Sequence, residues 1–257
     1  MKNVFIILSG GPSVYNSRDP KRHDQAWHNF ITAPLARSKG AALHDPKTED
    51  VHWLVYEPAY KERWTSDSAN QRSAPTQYQH TLDIKMKHKC LDYLDLARKR
   101  ATERGWKYIG IAGAKGFWDY INKFKSTKIS RLWFYGHASN DLWLSLNHRA
   151  NDHVAIEPDS NAILNIGDID KIAARSFIPQ KTARHPHKFF GCNTKAFAEQ
   201  WASALSVVAE GSSGSVDFGG VTDTSGKVTL SGGAQWYQCS KGKPSQSLLS
   251  KAGAQVS

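Results

Sequence analysis

The chain has 257 residues, of which 40% are hydrophobic and 22% charged, with 19 Gly and 10 Pro. That length suffices for a hydrophobic core without disulfide or metal staples, and the composition excludes a disordered tail, a collagen-like repeat and a cystine framework. Lys and Arg number 34 against 23 Asp and Glu, a net charge of +11 that favours an acidic partner, while no zinc-finger spacing or RRM-type strand points to nucleic acid.

In chain order, Asn3–Ser9 (NVFIILS) is a continuous apolar run stopped by Gly10-Gly11-Pro12, the pattern of a buried central strand and a turn. Its apolar part, Val4–Leu8, is too short and too weakly flanked by Lys2 for a signal peptide, and no run reaches the roughly 20 residues of a membrane helix. The expectation is a cytosolic protein, or one exported without a cleaved signal, with no membrane span. Asp24–Arg37 has helix-like spacing that Pro34 is expected to break, and Val51–Tyr56 predicts a strand. Lys61–Gln79 lacks apolar periodicity and reads as an exposed loop or lid.

Leu82–Glu103 predicts a helix through Ile84, His88, Leu91, Leu94 and Ala97, with Gly105 as its stop. Tyr108–Ala112 predicts a strand, Gly116–Phe124 a short helix, and Ile129–Tyr135 an apolar strand. Ile166–Phe177 predicts a helix, Lys188–Gly191 a strand, Ala196–Leu205 an amphipathic helix and Ser206–Ala209 a strand. The Gly/Ser-rich extension over 211–257 is expected to carry a hairpin of Val228–Leu230 with Ala234–Tyr237. Strands alternating with helices, without a linker, predict a single domain over 1–257. Its fold class is α/β, a three-layer α/β/α sandwich on a mostly parallel sheet, with reactive groups at the strands' carboxyl ends.

Two strand ends carry chemistry. LWFYGH delivers Gly136 and His137, and FFGC delivers Gly191 and Cys192. A crossover between the two strands makes them parallel neighbours, which sets imidazole and thiol side by side. A free thiol has a pKa of about 8.5, so a nearby imidazole is what turns it into a nucleophile at neutral pH. Backbone N–H groups after His137 and at Cys192 are candidates for holding a developing oxyanion. Gly10, Gly11, Asn140, Asp141 and Asn193 are candidates for lining the cleft or orienting the imidazole, and a turn role competes for Asp141.

The remaining chemistry-bearing residues read as structural. Cys90 and Cys239 read as core or incidental thiols, and the odd count of three Cys fits no disulfide framework or zinc spacing. His23, Asp24, His28 and His44 match no common metal site. Trp133 and Trp201 read as core, and Trp64 is a candidate substrate platform.

The segments Ile129–Asn147 (ISRLWFYGHASNDLWLSLN) and Lys188–Leu205 (KFFGCNTKAFAEQWASAL) resemble the His and Cys blocks of the caspase-like, clan CD cysteine peptidases, in particular their bacterial CHAT-type branch. Gly136-His137 and Gly191-Cys192 match that pattern residue by residue. Leu142–Leu146 is similar to the hairpin that follows the family's His, and Ala138 stands where the family usually has a third Gly. The resemblance covers roughly Ile129–Ala209. It implies a caspase-like sandwich with Cys192 as nucleophile, His137 as general base and acid, and the N–H groups of Ala138 and Cys192 facing the oxyanion. It further implies a protein or peptide substrate, with no metal or organic cofactor.

The competing readings are an effector or toxin acting on another acyl bond (a cell-wall amide or a lipid ester), and a non-catalytic module of the same fold. A serine hydrolase is set aside, because Gly211–Ser215 fails the GxSxG pattern at its last position.

Overall fold

Apolar residues on successive positions bury both faces of a strand, and in the computed structural model Asn3–Ser9 (β1) is buried from Val4 onward in the middle of the main sheet. The structure describes residues 2–11, 29–37, 44–62, 64–65, 92–139, 143–146, 160–165, 167–168, 174–180, 185–222 and 225–256. The strands that follow are β2 Glu49–Tyr56, β3 Lys107–Ile111, β4 Ile129–Tyr135, β5 His137–Ser139, β6 Trp143–Ser145, β7 Ile163–Asn165, β8 His187–Phe190 and β9 Val208–Ser212. Toward the C-terminus come β10 Val216–Asp217, β11 Val221–Thr222, β12 Ser225–Gly226, β13 Thr229–Leu230, β14 Trp236–Ser240 and β15 Lys243–Leu249. The longer helices among the described residues are α1 Asn29–Arg37, α2 Tyr93–Glu103, α3 Ala114–Ile121 and α4 Lys195–Leu205.

The protein is mixed α/β, with an eight-stranded sheet in the order β15-β14-β9-β8-β4-β1-β2-β3. The pairs from β3 through to β9 are all parallel, and the β14–β15 hairpin adds antiparallel pairs at the β9 edge. Strand alternation sorts the core. Ile6, Leu8, Leu132, Phe134 and Phe189 pack toward α3 and α4, whereas Phe5, Ile7, Trp133, Tyr135 and Phe190 pack toward α1 and α2. From β1 the chain moves outward through β2 and β3, then returns to β4 on the other side of β1. The β1/β4 boundary is therefore the topological switch point, the place at which open α/β sheets bind their ligands.

Pro34 sits inside α1 without breaking it. Proline lacks the N–H that would bond the carbonyl four residues back, here that of Phe30. Ser9 Oγ donates to that carbonyl at 2.6 Å and itself accepts from Trp53 Nε1 at 2.9 Å. A residue on β1 thus satisfies the group that proline leaves open.

The helix expected over Leu82–Glu103 begins at Tyr93. Asp92 is its N-cap, extended at φ −73° and ψ 99°, and accepts from the N–H groups of Leu94 at 2.9 Å and Asp95 at 3.3 Å. Asp92→Ala is expected to lower stability by about 1 kcal/mol, read as a small fall in the urea midpoint with an unchanged slope. Residues 82–91, Cys90 among them, lie outside the described residues.

Of the helix expected over Ile166–Phe177, residues 166 and 169–173 lie outside the described set; Ala174–Ser176 form a 3-10 turn and Phe177 bridges to Ile129. Phe177 is buried at the start of β4, and the connection from β4 to β8 carries the small antiparallel sheet β5-β6-β7. The strand expected at Ser206–Ala209 starts instead at Val208, because Ser206 takes φ 55° as the C-cap of α4.

The C-terminal hairpin is present but uses other residues. Val228–Leu230 does not pair with Ala234–Tyr237; β13 pairs back to β10, and the hairpin is β14 with β15 around Lys241-Gly242. Gly232 and Gly233, both at positive φ, make the turn that leads from one sheet to the other. Of the loop expected over Lys61–Gln79, Lys61 and Glu62 continue a helical stretch that begins at residue 57. Trp64 is half-buried against the core on the α1/α2 side, and residues 63 and 66–79 lie outside the described set. Among the described residues no helix is long and apolar enough to cross a membrane.

Candidate active site

The site grows out of the β4/β8 register. Trp133 pairs with Lys188, Phe134 with Phe189 and Tyr135 with Phe190, so Gly136-His137 and Gly191-Cys192 leave neighbouring strand ends. The Gly136 N–H donates to the Phe190 carbonyl at 3.2 Å, which holds the strand ends together past the last formal pair.

Contacts place both side chains on the side of α1 and α2. The His137 ring stands at right angles to Phe30, with ring centroids 5.0 Å apart. The Val216 N–H donates to Cys192 Sγ at 3.4 Å. Phe30 and Val216 belong to one core cluster, and His137 and Cys192 are both half-buried. One step below, Tyr135 stacks on Phe190 at 4.7 Å and Phe190 on Trp236 at 5.6 Å, a rigid aromatic floor.

The turn that carries the thiol is stapled to β9. Thr194 stands at the N-cap of α4, but its hydroxyl does not cap the helix. It donates to the Phe189 carbonyl at 2.8 Å and accepts from the Ser212 N–H at 3.0 Å. Ser212 Oγ lies 2.8 Å from the carbonyls of both Gly191 and Gly214. Asn193, expected in the cleft, holds φ 57° and donates its N–H to the Gly214 carbonyl at 2.9 Å, so its backbone turns the chain from β8 into α4.

Gly191 is required by close approach. A Cβ there would lie 2.8 Å from the Gly136 carbonyl oxygen and 3.2 Å from the Ala138 Cβ. Ala138 itself is half-buried and packs toward the α3/α4 core, so its methyl fills the space facing Gly191. Gly191→Ala is expected to push the ends of β4 and β8 apart and to cost about 1–3 kcal/mol, read by urea melts. Adding Ala138→Gly should not restore the loss, because the carbonyl contact remains.

Gly10 and Gly11 do not line the cleft. Both are buried; the Gly10 N–H donates to the Tyr135 carbonyl at 2.8 Å and that of Gly11 to the Leu146 carbonyl at 2.6 Å. A Cβ on Gly10 would lie 3.1 Å from the Ser145 carbonyl oxygen, and one on Gly11 2.2 Å from the Ala59 Cβ. Their lack of a side chain lets β6 cross the end of β1. Pro12, Asn140, Asp141, His23, Asp24 and His28 lie outside the described residues.

Cys239 is 1% exposed, and burial pushes its thiol up to about 11, against a weaker opposing hydrogen bond from Ser245 Oγ. That suits a packed thiol and not a nucleophile. Among the described residues no group of three or more His, Cys, Asp or Glu has the arrangement to hold a metal ion. A separate cleft of about 600 Å³ opens at the outer edge of the sheet, lined by Ala114, Lys115, Trp118, Asn161 and Asp168. It touches none of the residues of the His137 and Cys192 turns.

The sequence reading missed Phe30, Val216, Phe218, Thr194 and Ser212. None carries a motif, and each acts through contacts between distant segments. Comparison of the chain with protein families, with curated proteins and with solved structures found no match.

Proposed function

We propose that the chain is a cysteine-dependent hydrolase of caspase-like α/β/α architecture that cleaves a peptide bond. The observation that carries this reading is that Gly136-His137 and Gly191-Cys192 directly follow the paired ends of β4 and β8, with the His137 ring against Phe30 and the Cys192 sulfur against Val216 in one core cluster. The half-buried sulfur accepts the Val216 N–H at 3.4 Å and lies 3.8 Å from the Val216 carbonyl, contacts that fix its position beside the chain.

The chemistry follows from these groups. His137 takes the thiol proton, and Cys192 Sγ attacks the carbonyl carbon to form a tetrahedral oxyanion. The N–H groups of Ala138 and Cys192 are the candidate donors for that charge, since those of Gly136 and Gly191 already bond the Phe190 and Phe189 carbonyls. His137 returns the proton to the leaving amine as the C–N bond breaks, leaving a thioester on Cys192. His137 then removes a proton from water, which attacks the thioester and releases the acid and the thiol. The net charge of +11 supports an acidic substrate or partner.

The test is a peptide-library digest by wild type and by Cys192→Ala at equal concentration. Cleavage by the first and none by the second is expected. Equal cleavage by both removes Cys192 from the mechanism. Where neither cleaves, labelling by iodoacetamide at neutral pH separates the remaining readings: a hyper-reactive Cys192 points to another acyl bond, and an ordinary thiol to a non-catalytic module.

A further inference from the structure

One side chain links the His137 ring to the segment that contacts Cys192. Phe30 stands at right angles to the His137 ring at 5.0 Å and at right angles to the Phe218 ring, also at 5.0 Å. Phe218 lies two residues beyond Val216, whose N–H donates to Cys192 Sγ. Both phenylalanines are nearly inaccessible, at 1% and 2% exposure. Phe30 is itself fixed from behind, because Ser9 Oγ holds its carbonyl and Trp53 holds Ser9. The Val216 segment is pinned on its other side by pairing with Leu230.

The second side-chain torsion of histidine is broad and roughly two-fold, so neighbours must decide where the ring nitrogens point. A perpendicular aromatic ring in contact restricts that rotation, and the same ring braces the loop that presents an N–H to the sulfur. We propose that Phe30 is a positioning residue that sets the His137 imidazole and, through Phe218, the Val216 N–H at Cys192. This inference rests on the His137/Cys192 reading and adds to it the device that keeps base and nucleophile in step.

The test follows alkylation of Cys192 by iodoacetamide against pH, read by mass spectrometry on the Cys192 peptide in the intact chain, and it needs no substrate. Wild type is expected to titrate below the free-thiol value of about 8.5. In Phe30→Leu the inflection should rise by about one unit, slowing alkylation at pH 7 about tenfold with the high-pH plateau unchanged. Phe218→Leu should shift the profile in the same direction, and it carries the test if Phe30→Leu does not fold. Ile31→Val, buried on the same helix, controls for packing and should leave the inflection in place.

A depressed wild-type profile that neither phenylalanine variant moves overturns this inference alone. An ordinary wild-type profile overturns the dyad, and this inference with it.

Discussion

His137→Ala and Cys192→Ala are each expected to lower kcat/KM on a cleaved peptide about ten-thousandfold or more, and the double variant to lose no more than Cys192→Ala alone. The reason is that the two groups perform one act. Without the thiol there is no proton for the imidazole to take, and without the imidazole the leaving amine departs unprotonated. Removing the second partner after the first therefore removes nothing further. Steady-state kinetics on a peptide found by the library digest measures the cycle. Losses that simply multiply would mean that His137 and Cys192 act independently, and the dyad would be wrong. Cys239→Ala is the matched control and should retain activity, since that thiol is buried and pushed up to about 11. A loss there alone would move the nucleophile.

Much of the arrangement behind that prediction is legible in the chain because the local pattern and the fold agree. NVFIILS and ISRLWFY are apolar on both faces, and only the inside of a parallel sheet satisfies such a run. The glycine that ends each run then delivers His137 and Cys192 just beyond the neighbouring ends of β4 and β8. What was not legible depends on partners distant in sequence. Pro34 is a helix breaker by local rules, and only a hydroxyl from β1 makes it tolerable. Gly10 and Gly11 resemble a ligand loop until β6 is seen to cross them. Gly232-Gly233 is a stronger hairpin signal than Lys241-Gly242, yet the latter turns the hairpin. The Asp92 cap emerges only with the observed start of α2, because the apolar spacing runs on upstream of it.

A loss of stability on acidification, about 5 kcal/mol between pH 6.5 and 3 from His187 alone, is the second large effect expected. His187 at the start of β8 is fully buried, and burial, reinforced by the nearby Arg131 guanidinium, pushes its pKa down to about 3. Trp201 Nε1 donates to its Nδ1 at 3.1 Å, so the neutral ring carries its hydrogen on Nε2 and cannot take a second without losing that bond. The ordinary value in an unfolded chain is about 6.5. Above pH 6.5 neither state binds the proton and the stability is intact. Between 6.5 and 3 only the unfolded chain binds it, so each unit of acidification favours unfolding by about 1.4 kcal/mol. Below 3 both states are protonated and the contribution levels off.

His52, lowered to about 4 by burial and by Lys107, acts with the same sign. Glu57 acts only lower. Burial works upward on it, but hydrogen bonds from Lys61, Arg98 and Tyr108 hold its carboxyl below the usual range, so it matters below about 4.5. Urea unfolding at pH 7 and pH 5 therefore isolates the imidazoles, with about 2 kcal/mol expected from His187 between them. His187→Gln keeps an acceptor for Trp201 and removes the titration. It should be less stable at pH 7 and should lose less on going to pH 5. An unchanged difference between the two pH values would mean that His187 is already protonated, or solvated, in the native state.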